Sequence, residues 1–344
     1  VKRDEPQEGP RMRLALLLLA ITACTSSPSD IATGEVGPWV AGPALPTPRA
    51  NHCSAAIGDW VLVIGGNYMA NGAFVKTDEI HAAQLSPEGT LGPWQLAGRT
   101  PSPVTECNAT SDGRTLYVID GIYDRESDGR QVWSATLDGQ GMLGPLASLG
   151  SLPDIAISTE AAVRDGRLVV MKTKVPANDD GQTVALATQL PALSWMTNDL
   201  QIGFRAQAEY GFSDRFIYTV GGYHDTALGA LADVGFSPLS GGPTVSTTPL
   251  PQPVGFGEAV VVDDWLFVVG GRAQVFGAPG TTLVFAAPLA SDGSVGAWTT
   301  PVALPMERTN HDLVLVDDYL VLTGGAATGP GDANVLVSRV RFPR

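Results

Sequence analysis

The stretch VGPWVAGPALP (36–46) reads like a part separated from its whole. Two later stretches match it, LGPWQLAGRTP (91–101) and VGAWTTPVALP (295–305), each with Gly two residues before Trp and a closing Pro. Those two end a longer repeating unit, whereas 36–46 precedes the first such unit. At the other end, the last unit stops at Arg344 after its third strand. Assigning 36–46 to that unit completes it and turns a row of units into a ring.

The units are marked by double glycines after short apolar runs: VLVIGG (61–66), YTVGG (218–222), FVVGG (267–271) and LVLTGG (320–325). LYVIDG (116–121) and RLVVMK (167–172) fill the gaps as degenerate copies, so the period is about 50 residues, within the range of propeller blades. In each unit a first strand such as HCSAAI runs into a tight turn (GDW, DGR, SDR, DDW, DDY), where Asp and Gly tolerate the required backbone angles. The second strand ends at the glycines, a variable loop leads to a third strand, and Trp94, Trp195 and Trp298 mark a fourth. With no convincing amphipathic helix and many turns, the expectation is an all-β, six-bladed propeller over 36–344. Each blade has four antiparallel strands, and the ring is closed by the N-terminal strand.

The glycine pairs, Tyr117 and Tyr218 three residues ahead of the pair position, Arg49 and Arg308 before the first strand, and the fourth-strand tryptophans resemble kelch repeats. The resemblance covers 36–344 and departs in copies two and three, which lack the double glycine. It implies a kelch-like propeller, a fold used mostly as a binding scaffold and sometimes as an enzyme, including a bacterial sialic acid mutarotase and galactose oxidase. The two-tyrosine, two-histidine copper site of galactose oxidase has no counterpart here.

Superposing the copies on their glycines aligns Cys53, Cys107, Glu160, Glu209, Glu258 and Asp312, with one extra residue allowed in the turn of copy two. In a propeller the first strand is innermost, so these positions form a ring at one mouth of the central channel. His52, Glu106 and His311 lie one residue earlier, and Arg49, Arg205 and Arg308 lie at the rim. Crowded carboxylates raise one another's pKa unless a cation is present. Glu160, Glu209, Glu258 and Asp312 are therefore candidate ligands for Ca²⁺, or acid–base groups acting on a sugar or lactone. The blander alternative has each acid paired with a backbone amide or one of the arginines, and the histidines bonded to loops between blades. Cys53 and Cys107 either bridge blades one and two or remain as buried thiols.

The chain carries 35 acidic and 21 basic residues, a net charge of −14. That balance argues against a nucleic-acid partner. Arg11-Met12-Arg13, the apolar run LALLLLAI and ITAC (21–24) follow the order of a bacterial lipoprotein signal, giving a signal peptide over 1–23 (with 1–11 as an upstream extension) and lipidation at Cys24. Residues 24–35 have the composition of a tether. Thr25 after the cysteine implies an outer-membrane lipoprotein, periplasmic or surface-facing, held by lipid alone and monomeric. Two functions stay open. One is a scaffold for a protein or carbohydrate ligand, displaying loops 67–79, 172–182 and 272–282. The other is a small-molecule enzyme, mutarotase- or hydrolase-like, in the acidic mouth.

Overall fold

A computed structural model describes residues 36–341 apart from 120, 122–129, 154–156, 175–181, 225–228, 275–277 and 330. The leader, Cys24 and the tether lie outside the described residues, as do parts of the loops 172–182 and 272–282.

Six sheets follow one another along the chain. Blade one holds Cys53–Ile57, Trp60–Ile64, Ala73–Gln84 and Gln95–Val104. Blade two holds Asn108–Ser111, Thr115–Ile119, Gln131–Thr136 and Ala147–Ser151, and blade three Ile157–Arg164, Arg167–Lys174, Gln182–Gln189 and Met196–Asp199. Blade four holds Glu209–Phe212, Phe216–Val220, Val234–Pro238 and Val245–Ser246. Blade five pairs Gly255–Val262, Trp265–Arg272 and Val284–Pro288, and its fourth strand shrinks to one reciprocal bridge, Ala286 to Thr299, just ahead of Pro301, which has no N–H to donate. Blade six holds Asp312–Val316, Tyr319–Thr323 and Val335–Arg339, completed by Val40–Ala41.

The closure is a hydrogen-bonded ladder. Val40 faces Val337 and Ala41 faces Leu336. Flanking bonds run from Gly37 N to Arg339 O (2.8 Å) and from Gly42 N to Val335 O (2.9 Å). The Ser338 hydroxyl adds a bond to Gly37 O at 2.8 Å.

The second strands are largely apolar because both faces are covered, with exceptions such as Thr219 in blade four and the polar ends of Arg167–Lys174 in blade three. In blade one, Val61 and Val63 pack with residues of blade six, while Leu62 and Ile64 pack with blade two. The same division recurs around the molecule, giving six apolar clusters that each belong to two neighbouring blades. Fully burying one side chain such as Leu62 contributes roughly 1.5–3 kcal/mol.

Polar ties repeat with the blades. The indole N–H groups of Trp39, Trp94, Trp195 and Trp298 donate to carbonyls of the preceding blade's outer segment at Val302, Pro43, Ser151 and Thr248, at 2.9–3.2 Å. The segment 67–79, read from sequence as a loop, is instead a hairpin in which Asn67–Ala70 pairs with the start of Ala73–Gln84. Its Asn71-Gly72 turn has both residues at positive φ, as a two-residue hairpin requires.

Candidate functional site

The ring of equivalent positions is defined by the residue facing the end of each second strand. These pairs are Cys53–Ile64, Asn108–Ile119, Glu160–Met171, Glu209–Val220, Glu258–Val269 and Asp312–Thr323. This corrects the sequence alignment by one residue in blade two. Its hairpin closes with the same spacing as that of blade one, so no extra turn residue exists and Asn108, not Cys107, joins the ring. Cys107 falls in the row of His52 and His311, and Glu106 one row further out. The shift lets Cys53 reach Cys107 diagonally across the gap between blades. The two sulfurs are bonded, with the Cα atoms 5.5 Å apart.

The innermost strands surround a central cavity of about 400 Å³. Glu160, Glu209, Glu258 and Asp312 all line it. Glu209 accepts a 2.7 Å hydrogen bond from the Gly257 N–H of the next blade, and burial pushes its carboxyl well above the ordinary range, with Glu160 adding to the shift. Glu258 is raised well above its ordinary value by burial, then by the charges of Asp312, Glu160 and Glu209. Glu160 is pushed up to about 8 by burial and by Asp312. Asp312 is pushed up to about 7, burial outweighing the hydrogen bonds it receives from Leu313 and Ser54. Glu160 and Asp312 belong to blades three and six, on opposite sides of the ring, so the acids interact across the channel. At neutral pH the collar therefore mixes neutral carboxyls, which donate, with carboxylates, which accept.

The arginines are not part of this collar. Arg49 bonds Gly65 O, Glu79 O and the Glu79 carboxylate. Arg205 bonds Gly221 O and Asp233, and Arg308 bonds Asp332. Each arginine is held at both ends, its carbonyl taking a bond from the preceding blade and its guanidinium reaching the following one. Gly325 and Gly271 amides bind Arg49 O and Arg308 O. In blade three, which lacks the glycine pair, the Thr173 hydroxyl takes this role toward Arg205 O at 2.6 Å.

The histidines also face neighbouring blades. His52 Nε2 lies 2.9 Å from the Thr323 hydroxyl. Its imidazole is held down to about 3 by burial, then by Arg49 and His311. Burial and Arg308 likewise hold His311 near 3. Both stay neutral across the physiological range. Glu106 stands exposed at the rim. Among the described residues no group of three or more His, Cys, Asp or Glu is arranged to hold a metal ion.

Two features were not read from the sequence. Arg164 lines the cavity roughly 13 Å further along the strand from Glu160. Its guanidinium bonds the carbonyls of Val163 and Phe212, and burial lowers its pKa. The second feature is a row just outside the collar: Asn51, Glu106, Gln207, Phe256 and Asn310 line the mouth and share left-handed backbone, with φ between 50° and 60°. Their main chains are linked in a belt, Glu106 N to Asn51 O (2.7 Å), Asn51 N to Asn310 O (3.2 Å), Asn310 N to Phe256 O (3.1 Å) and Phe256 N to Gln207 O (3.3 Å). Asparagine tolerates this conformation well, but holding Glu106, Gln207 or Phe256 there costs on the order of 1–2 kcal/mol. The sequence signal was available as the position two before each collar residue, but its residue types differ too much to stand out as a motif.

No family model matches the chain. It is 22% identical over 325 residues to the Kelch-like protein terF of Aspergillus terreus, covering 90% of this chain and 69% of that protein. Its fold matches the solved structure of YjhT with a TM-score of 0.66 at 15% identity, covering 86% of this chain and 96% of that one. These similarities, with the topology, place the chain among six-bladed propellers distantly similar to kelch-like proteins.

Proposed function

We propose that this propeller binds a small hydroxylated molecule, neutral or cationic and of sugar size, in the mouth of its central channel. The observation that carries the reading is the convergence of Glu160, Glu209, Glu258 and Asp312 on one cavity while Arg49, Arg205 and Arg308 are engaged elsewhere. A volume near 400 Å³ suits one such ligand, and a collar whose own carboxyls resist ionising, from burial and from one another, disfavours a further negative charge. Ligand-observed NMR and calorimetry with glucose, glucosamine and glucuronate test it. Glucose and glucosamine bind, glucuronate does not, and Glu258→Gln weakens glucosamine at least tenfold. Preferential binding of glucuronate, or of none of the three, overturns it.

A second reading is acid–base chemistry on the same ligand. It is favoured by Glu160 and Asp312, whose raised pKa values of about 8 and 7 suit proton transfer near neutrality. Accelerated anomeric exchange of the bound sugar in the same NMR experiment would distinguish an enzyme from a scaffold.

The exported, outer-membrane lipoprotein remains part of the proposal. The Cys53–Cys107 disulfide supports it, since such bonds persist in oxidising compartments. Metabolic labelling with a fatty acid in a bacterial host marks the wild-type chain and spares Cys24→Ser; equal labelling of both would remove the anchor.

A further inference from the structure

The left-handed row around the mouth is conformationally costly at Glu106, Gln207 and Phe256, and its belt of main-chain bonds, reinforced by the Thr105 and Thr309 hydroxyls, uses no side chain of the row itself. Glycine would build the same belt without the strain. This chain does place glycine at positive φ in many turns, among them Gly58, Gly113 and Gly166. Yet in five blades the row keeps a side chain, and every one of them borders the cavity. Positive φ alone does not mark them, since Asn71, Asp165, Gln201, Asp263 and Asp317 share it in turns away from the cavity; what sets the row apart is that its side chains face the mouth. Three of them, Asn51, Gln207 and Asn310, end in carboxamides. Asn51 makes one long contact, 3.5 Å, to Asn67, whereas the carboxamides of Gln207 and Asn310 have no hydrogen-bond partner among the described residues. Phe256 adds an aromatic ring, steadied by the Arg272 guanidinium 4.0 Å from its centroid and by Tyr223 at 5.5 Å.

We infer that this row is the specificity layer of the site: Gln207 and Asn310 read the hydroxyl pattern of a pyranose whose C–H face lies on Phe256. The inference rests on the binding reading above and names the residues that choose among its ligands. A carboxamide offers a donor and an acceptor side by side, which matches a pair of adjacent hydroxyls. An epimer that misplaces one hydroxyl leaves part of that pair unsatisfied, which is the basis of strong discrimination. The collar beneath supplies charge and donors without regard to stereochemistry, so order among epimers is set by the row above it.

Glycine substitution tests the idea, because it removes the side chain while suiting the backbone. Wild type, Gln207→Gly, Asn310→Gly and Phe256→Leu are titrated with glucose, galactose and mannose, and thermal unfolding is recorded for each. The glycine variants unfold at or above the wild-type temperature, bind the preferred hexose at least tenfold more weakly and lose the ranking among epimers. Phe256→Leu weakens all three hexoses together. If wild type binds the hexoses and Glu258→Gln alters that binding, but both glycine variants keep wild-type affinity and ranking, the specificity role is overturned and the collar reading survives. If wild type binds no hexose, both fall.

Discussion

Gly324 sits at φ +56° directly beneath His52. A Cβ there would come within 2.6 Å of the Arg49 carbonyl oxygen and 2.7 Å of His52 Cε1. Neither can retreat, because Arg49 is bound from both blades and His52 is buried against Thr323. The imidazole is thus a packing piece fitted to the preceding blade's glycine, as is His311 over Gly270. Gly324→Ala combines left-handed strain with a backbone clash, so it lowers stability by roughly 2–4 kcal/mol in chemical denaturation. A loss under 0.5 kcal/mol would mean the joint between blades six and one is looser than these distances allow. Asn-His before an apolar strand resembles a ligand pair on paper; the neighbouring blade that occupies the ring is invisible until the blades are stacked.

At the scale of strands and blades, most of the fold was legible because it repeats. A run such as VLVI is buried on both faces, so every position is apolar, and its recurrence at a fixed period identifies the second strands even where the glycines are lost. The Trp-marked outer segments were equally legible, since each indole makes the same bond to the preceding blade. Register inside blade two was not. Its first strand, NATS, is short and polar, so one residue of slip changes no obvious pattern; only the pairing of Asn108 with Ile119 settles it. The hairpin at 67–76 stands outside the repeat, since among the described residues no other blade inserts paired strands there, so the period places it in a loop although Asn71-Gly72 is a strong turn signal. Within the site, the four carboxyls were readable as a ring. The outer row was not, since its common property is a backbone angle shared by Asn, Glu, Gln and Phe.

For the whole molecule, the collar makes folding sensitive to pH. Burial lifts Glu160 to about 8 and Asp312 to about 7, and it lifts Glu209 and Glu258 as well. In the unfolded chain these groups return to values near 4. His52, His311 and His81 are held at about 3, 3 and 4, so below about pH 6.5 they pull the other way. From there to about pH 8 the collar acts alone, the folded state holds more protons than the unfolded one, and stability falls as pH rises. Differential scanning calorimetry of the ligand-free protein gives a Tm that declines from about pH 6.5 to pH 8, above the range in which the histidines titrate, and Glu160→Gln makes the decline shallower. A Tm that climbs over the same interval, or an unchanged slope in the variant, contradicts the protonated collar. The strand Val40–Ala41 carries a different consequence, one of timing. It is synthesised before any blade, yet its partner Val335–Arg339 arrives last. On a ribosome, the opening strand waits unpaired until the third strand of the last blade emerges, so it stays open to proteases while the propeller between them is made.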